Sequence, residues 1–139
     1  MKPSKSCLAV AALAFSLLTA TAEDAKLDAS KLPPVSSQKG VTFDKDIKPM
    51  FEKSCVKCHG GEKPKARLRL GTLEGAIKGS KDGPDIIAGK SGESPLVYAI
   101  AQVGDEDNFM PPPKNKANIG PLTKEQVSLV RAWIDQGAK

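Results

Sequence analysis

Five consecutive residues, Cys55-Val56-Lys57-Cys58-His59, constrain this chain more than any other feature. C-x-x-C-H is the attachment signal for a c-type haem. Each cysteine adds its sulfur across one haem vinyl group, and the adjacent histidine is left where its imidazole can bind the iron. Two other readings stay open at this point. A C-x-x-C pair can be a redox dithiol, although such motifs sit near a βαβ pattern, which this sequence lacks. A structural zinc site wants four ligands, usually Cys or His, and beyond the N-terminal segment the chain supplies only Cys55, Cys58 and His59.

With 139 residues the chain has room for one domain. Its N-terminus has the layout of a secretory signal: Lys2 and Lys5, an apolar run from Leu8 to Leu18, then Ala20-Thr21-Ala22 as an A-x-A cleavage site. Residues 1–22 are therefore expected to be removed on export, and the protein is expected in the periplasm. That run is too short to span a bilayer as a helix, so no stable membrane insertion is expected. Cys7 precedes the run and leaves with it. Export agrees with the motif, because haem c is attached outside the cytoplasm and free thiols there tend to oxidise.

The net charge of +5 falls to +3 once Lys2 and Lys5 are gone. Charges of both signs are mixed along the chain, so nothing suggests the concentrated basic stripe of a nucleic-acid-binding protein. Aromatic residues are scarce, with four Phe, one Tyr and one Trp. A domain this small buries little surface unaided. A porphyrin acting as part of the core would compensate.

Residues 23–40 are polar and aperiodic, with Pro33-Pro34 and Ser36-Ser37, and read as a flexible leader. The folded domain is placed at 41–139. Phe43, Ile47, Met50 and Phe51 share a helical face running up to Cys55, and Pro49 predicts that this first helix is short or kinked. A basic stretch follows His59, with Lys63, Lys65, Arg67 and Arg69. Thr72 is a candidate N-cap for a short helix ending at Gly79. Ser94-Pro95 has the cap-and-proline form of a helix start, with Leu96, Val97, Ile100 and Val103 as its stripe. The strongest helix is the last. Thr123 and Gln126 form a capping box, Leu122 and Val127 a hydrophobic staple, and Val127, Val130, Trp133 and Ile134 a buried face before Gly137. The expected fold is a small all-α domain with long loops wrapped around one covalent haem.

What fills the sixth iron position separates electron transfer from chemistry on a small molecule. The chain has one histidine, so a second histidine ligand from the same chain is excluded. Met110, in Asn108-Phe109-Met110-Pro111-Pro112-Pro113, is the candidate, on a loop stiffened by prolines. A methionine there can equally be a gap-filling core residue. Met50 is better explained as packing in the first helix.

The order F-D-K-D-I-K-P-M-F, C-V-K-C-H-G-G, L-R-L-G-T, G-P-D-I-I-A-G, S-P-L, M-P-P and L-T-x-x-Q-x-x-x-V-R-x-W-I-D-Q-G-A resembles the planctomycete-type c-type cytochrome domain, a variant of the class I cytochrome c fold. The resemblance spans most of residues 43–138 and departs at Gly71, where that family often has an acidic residue. It implies thioether bonds from Cys55 and Cys58, His59 and Met110 as axial ligands, and first and last helices that cross near the haem. The expected function is electron transfer by one haem c, with unidentified redox donor and acceptor proteins and the haem c maturation machinery as partners, and no enzymatic activity. A ligand-binding, sensor or peroxidase-like haem protein is the alternative, as is a haem subunit of a larger oxidoreductase. The basic stretch is read as solvated surface or as a docking face beside the haem edge.

Overall fold

The computed structural model describes residues 27–139. The expected signal peptide, with Cys7, and the first residues of the leader lie outside them. The described residues form helices joined by long loops, with no strand, as expected of an all-α domain.

The first helical stretch has two parts. A π-helical turn spans Phe43–Ile47 and runs directly into α1, Lys48–Ser54, with Pro49 in its first turn. Proline is tolerated there because its missing N–H is not needed for helix bonding. Its ring also needs room at the carbonyl four residues back, and the wider turn before α1 provides it. Lys48 keeps helical backbone angles despite preceding a proline, so the chain widens rather than breaks. Phe43, Ile47, Met50 and Phe51 are all buried, as their spacing predicts. A single turn, α2 (Val56–His59), follows at Cys55.

Helix α3 (Leu73–Lys78) begins at Thr72, whose hydroxyl accepts from the Gly75 N–H, and ends at Gly79, where φ is +80°. Helix α4 (Pro95–Ala101) starts at the expected proline, but Ser94 does not cap it with its side chain. The Ser94 hydroxyl instead donates to the Lys90 carbonyl (2.9 Å) and accepts from the Ile87 N–H (2.9 Å), tying down the preceding loop. Helix α5 (Lys124–Asp135) shows the full capping box between Thr123 and Gln126. Both staple residues, Leu122 and Val127, are buried.

The first and last helical stretches meet through three rings. Trp133 lies 5.7 Å from Phe43 and 6.5 Å from Phe51, centroid to centroid, and Phe43 lies 6.3 Å from Phe51. These separations and the mainly edge-on geometry are favourable for aromatic pairs. The Lys139 carbonyl accepts from both the Trp133 indole N–H and the Phe43 backbone N–H, each at 2.9 Å. The end of α5 is thereby clamped onto the start of the domain.

Residues 27–40, expected as part of a flexible leader, instead lie along α5. Leu32 is buried, the Ser36 N–H donates to the Ser128 carbonyl (3.1 Å), Arg131 donates to the Pro33 carbonyl and Gln136 to the Gln38 carbonyl (2.8 Å). A single buried apolar residue, Leu32, plus hydrogen bonds through the backbone of the segment leave no hydrophobic period to read.

Candidate haem site

The geometry of C-x-x-C-H follows from helical spacing. The N–H groups of Cys58 and His59 both donate to the Cys55 carbonyl, at 3.1 and 2.8 Å, closing one turn on a single acceptor. Residues i, i+3 and i+4 of a helical turn share a face, and Cys55, Cys58 and His59 line one cavity. Gly60 must be small for a separate reason: a Cβ there would come within 2.6 Å of the Val56 carbonyl oxygen.

His59 is 9 % exposed. Its Nδ1 lies 3.2 Å from the Lys65 carbonyl oxygen. A carbonyl can only accept, so Nδ1 carries the proton and the lone pair sits on Nε2. That is how metal-binding histidines are commonly fixed, by a hydrogen bond from the other ring nitrogen. Burial pushes the imidazole below its ordinary pKa, opposed by the backbone hydrogen bonding at Lys65 and Leu68 and by the Asp85 charge, while the Lys65 charge lowers it further. The neutral ring that a metal takes is thus favoured.

The Lys65 carbonyl is presented by a turn with unusual backbone. Ala66 and Arg67 have φ of +52° and +60°, a conformation that costs non-glycine residues roughly 1–2 kcal/mol each. The turn is held by Arg67 N–H to the Pro64 carbonyl (3.0 Å), Leu68 N–H to the Lys65 carbonyl (3.1 Å) and Lys81 N–H to the Ala66 carbonyl (2.8 Å). Arg69, part of the basic stretch after His59, donates to the Gly61 and Glu62 carbonyls and braces the loop after the motif.

The cavity has a volume of about 590 Å³, in the range of small-molecule and cofactor sites. Leu68, Leu70, Leu96, Ile100 and Leu122 give it mostly apolar walls. Met110 lines the same cavity and is half-buried, its N–H donating to the Ala99 carbonyl at the end of α4 (3.0 Å). The loop beyond it is stiffened by more than its prolines. The Asn115 amide donates to the carbonyls of Pro112 (2.9 Å) and Ile119 (2.8 Å), and its oxygen accepts from the Ile119 N–H (2.9 Å). The sequence signal for this brace is an asparagine shortly after a proline run, a residue type that bonds its own local backbone in turns. Met50 is buried in α1 and Trp133 in α5, and neither is among the residues lining the cavity.

Two thiols on one wall, an imidazole whose Nδ1 is committed to a carbonyl, a thioether and apolar surroundings together fit a haem. The alternatives fit less well. Burial, with a smaller contribution from neighbouring Cys58, pushes the Cys55 thiol up to about 12, the opposite of what a reactive dithiol needs. Among the described residues no three His, Cys, Asp or Glu side chains cluster as a bare metal site.

The described residues form a strandless helical domain around such a cavity, with C-x-x-C-H in its wall, an arrangement that fits a haem-binding domain of the cytochrome c class. Residues 55–114 match the family described as Planctomycete cytochrome C, the family whose motifs the chain resembles. The match runs from Cys55 through the Met110 loop, and the motifs at 43–51 and 122–138 flank it. No curated protein and no solved structure matches the chain.

Proposed function

We propose that this protein is an exported, monohaem c-type cytochrome that carries electrons between redox partner proteins, with His59 and Met110 as axial ligands. The observation that supports it most is the pairing, in one cavity, of an imidazole whose Nδ1 is committed to the Lys65 carbonyl with the thioether of Met110. Bound haem c supplies one-electron chemistry, its iron alternating between Fe(III) and Fe(II).

The chain's own residues do the rest. Cys55 and Cys58 would tether the group through thioethers, and the single C-x-x-C-H motif supports one haem. Nε2 of His59 and the thioether of Met110 would hold the iron, and the methionine would favour the reduced state. The apolar walls keep water out and disfavour the extra charge of the oxidised state. The one histidine is occupied on the iron, so none remains to act as a distal acid-base group of the kind peroxidase chemistry would use. The A-x-A site at Ala20-Thr21-Ala22 supports export of the mature protein to the periplasm.

Protein produced with a c-type maturation system tests the reading. Its haem should resist acid-acetone extraction, its intact mass should correspond to a chain starting at Glu23, and it should titrate as one reversible one-electron couple. Extractable haem, or peroxide turnover in place of a reversible couple, would replace the carrier with one of its rivals.

A further inference from the structure

Asp85 presents a polar atom for which the protein itself provides no counterpart. Its Oδ2 is shut off from solvent and has no hydrogen-bond partner among the described residues. The residue lines the cavity that holds Cys55, Cys58, His59 and Met110. Orphaned buried polar atoms are rare in folded proteins and call for a specific reason, and a charged one is costlier than a neutral one.

The backbone around Asp85 leaves it little freedom to turn away. The Leu96 N–H donates to the Asp85 carbonyl (2.9 Å), the Ile87 N–H to the Ser94 hydroxyl (2.9 Å) and the Gly89 N–H to the Ile134 carbonyl (2.7 Å), while Ile86 between them is buried. The carboxylate is close enough to His59 to favour the charged form of its imidazole. Other carboxylates at the cavity are differently placed: Asp28 is exposed and pairs with Lys31, Asp82 is exposed and pairs with Lys81, and Asp105 is exposed and accepts from the Asp107 N–H.

We propose that Asp85 tunes the haem electrostatically: its carboxylate, held at the cavity wall, stabilises the oxidised state and lowers the reduction potential below what histidine and methionine ligation in an apolar pocket would set. This rests on the carrier reading above. The sign follows from charge alone, because one electron entering the haem removes a unit of positive charge that the carboxylate attracts. Burial matters to the size of the effect, since a pair shielded from solvent is screened by salt much less than an exposed one.

The test compares midpoint potentials of the parent holoprotein, Asp85→Asn, Asp85→Glu and Glu93→Gln, by optical redox titration at low and high salt. Glu93 is exposed and paired with Lys90, so Glu93→Gln makes the same charge change away from the cavity. Asp85→Asn should shift the oxidised-to-reduced ratio at fixed poise about tenfold toward reduced, or about 59 mV upward, and keep most of that shift in high salt. Asp85→Glu and Glu93→Gln should titrate near the parent. The thermal midpoint of Asp85→Asn should not fall, because Oδ2 has no bond to lose, and the weak far-red band of methionine ligation should persist. If Asp85→Asn does not load haem, Asp85→Ala is read in its place with the same expectation. An unchanged potential overturns the proposal, as does a shift that appears only with loss of the far-red band. A parent without a reversible one-electron couple overturns the carrier reading itself, and this inference with it.

Discussion

His59 Nδ1 donates to the Lys65 carbonyl across 3.2 Å, and the two residues that follow Lys65 both have left-handed backbone. The hydrogen bond fixes which ring nitrogen carries the proton and which keeps its lone pair, and the strained turn is what puts the carbonyl in place. Strain of this kind persists only where surrounding contacts over-determine it. Here those contacts include the three backbone bonds made by Arg67, Leu68 and Lys81.

The turn can be tested directly at Ala66, which is exposed. Ala66→Val should be less stable than Ala66→Gly by roughly 1–2 kcal/mol, because a β-branched residue resists positive φ and glycine does not. Urea denaturation of the two holoproteins measures the difference. Equal stabilities would mean the turn does not hold this backbone.

Thr123 caps α5, and Gln126 returns the bond to the Thr123 N–H (2.8 Å). Thr123→Ala should cost about 0.5–2 kcal/mol. Combined with Gln126→Ala the loss should be less than additive, since each single change already breaks the reciprocal arrangement. Additive losses in a denaturation cycle would show the two bonds to be independent.

Leu32 distinguishes a docked segment from a flexible one. Buried at 7 % exposure, it should cost about 2 kcal/mol when changed to alanine, the low end for a leucine at the margin of a core. Val35, at 42 % exposure, should tolerate the same change. A Leu32→Ala protein as stable as the parent would return residues 27–40 to the flexible leader read from the sequence.

Elements with a strong hydrophobic period or a complete cap are legible in the order of residues alone: Phe43 to Phe51, Thr72 to Gly79, and α5 from Thr123 to Gly137. So is the convergence of Cys55, Cys58 and His59, because i, i+3, i+4 spacing fixes a common face on any helical turn. What cannot be read there lies in contacts between distant segments made by polar groups. Leu32 sits among apolar residues that share no period with it, Ser94 has the position of a cap but bonds the loop before it, and no motif marks the Lys65 carbonyl as the partner of His59. Asp85 is of the same kind. A single aspartate in Gly-Pro-Asp-Ile-Ile reads as a turn residue until the fold puts one of its oxygens out of reach of water.

The cavity makes the haem part of the fold. Without haem the apolar side chains lining the cavity, among them Leu68, Leu70, Leu96, Ile100 and Leu122, would face water, forfeiting roughly 25 cal/mol for each Å² of apolar surface left uncovered. Cys55→Ala/Cys58→Ala protein that carries no haem should therefore lose its cooperative melt, although the Phe43, Phe51 and Trp133 cluster lies outside the cavity. A sharp thermal transition with native helix content by circular dichroism would show that the chain completes its core alone.

The central claim, a closed haem with Met110 on the iron, is tested most directly by carbon monoxide binding to the ferrous protein, read with the ferric far-red spectrum in the parent, Met110→Ala and Met50→Leu. Parent and Met50→Leu should show the weak thioether-to-iron band and bind carbon monoxide slowly or not at all, whereas Met110→Ala should lose the band, bind carbon monoxide readily and have a lower potential. A parent that binds carbon monoxide readily, with a spectrum that Met110→Ala leaves unchanged, would contradict the account and favour a ligand-binding haem protein.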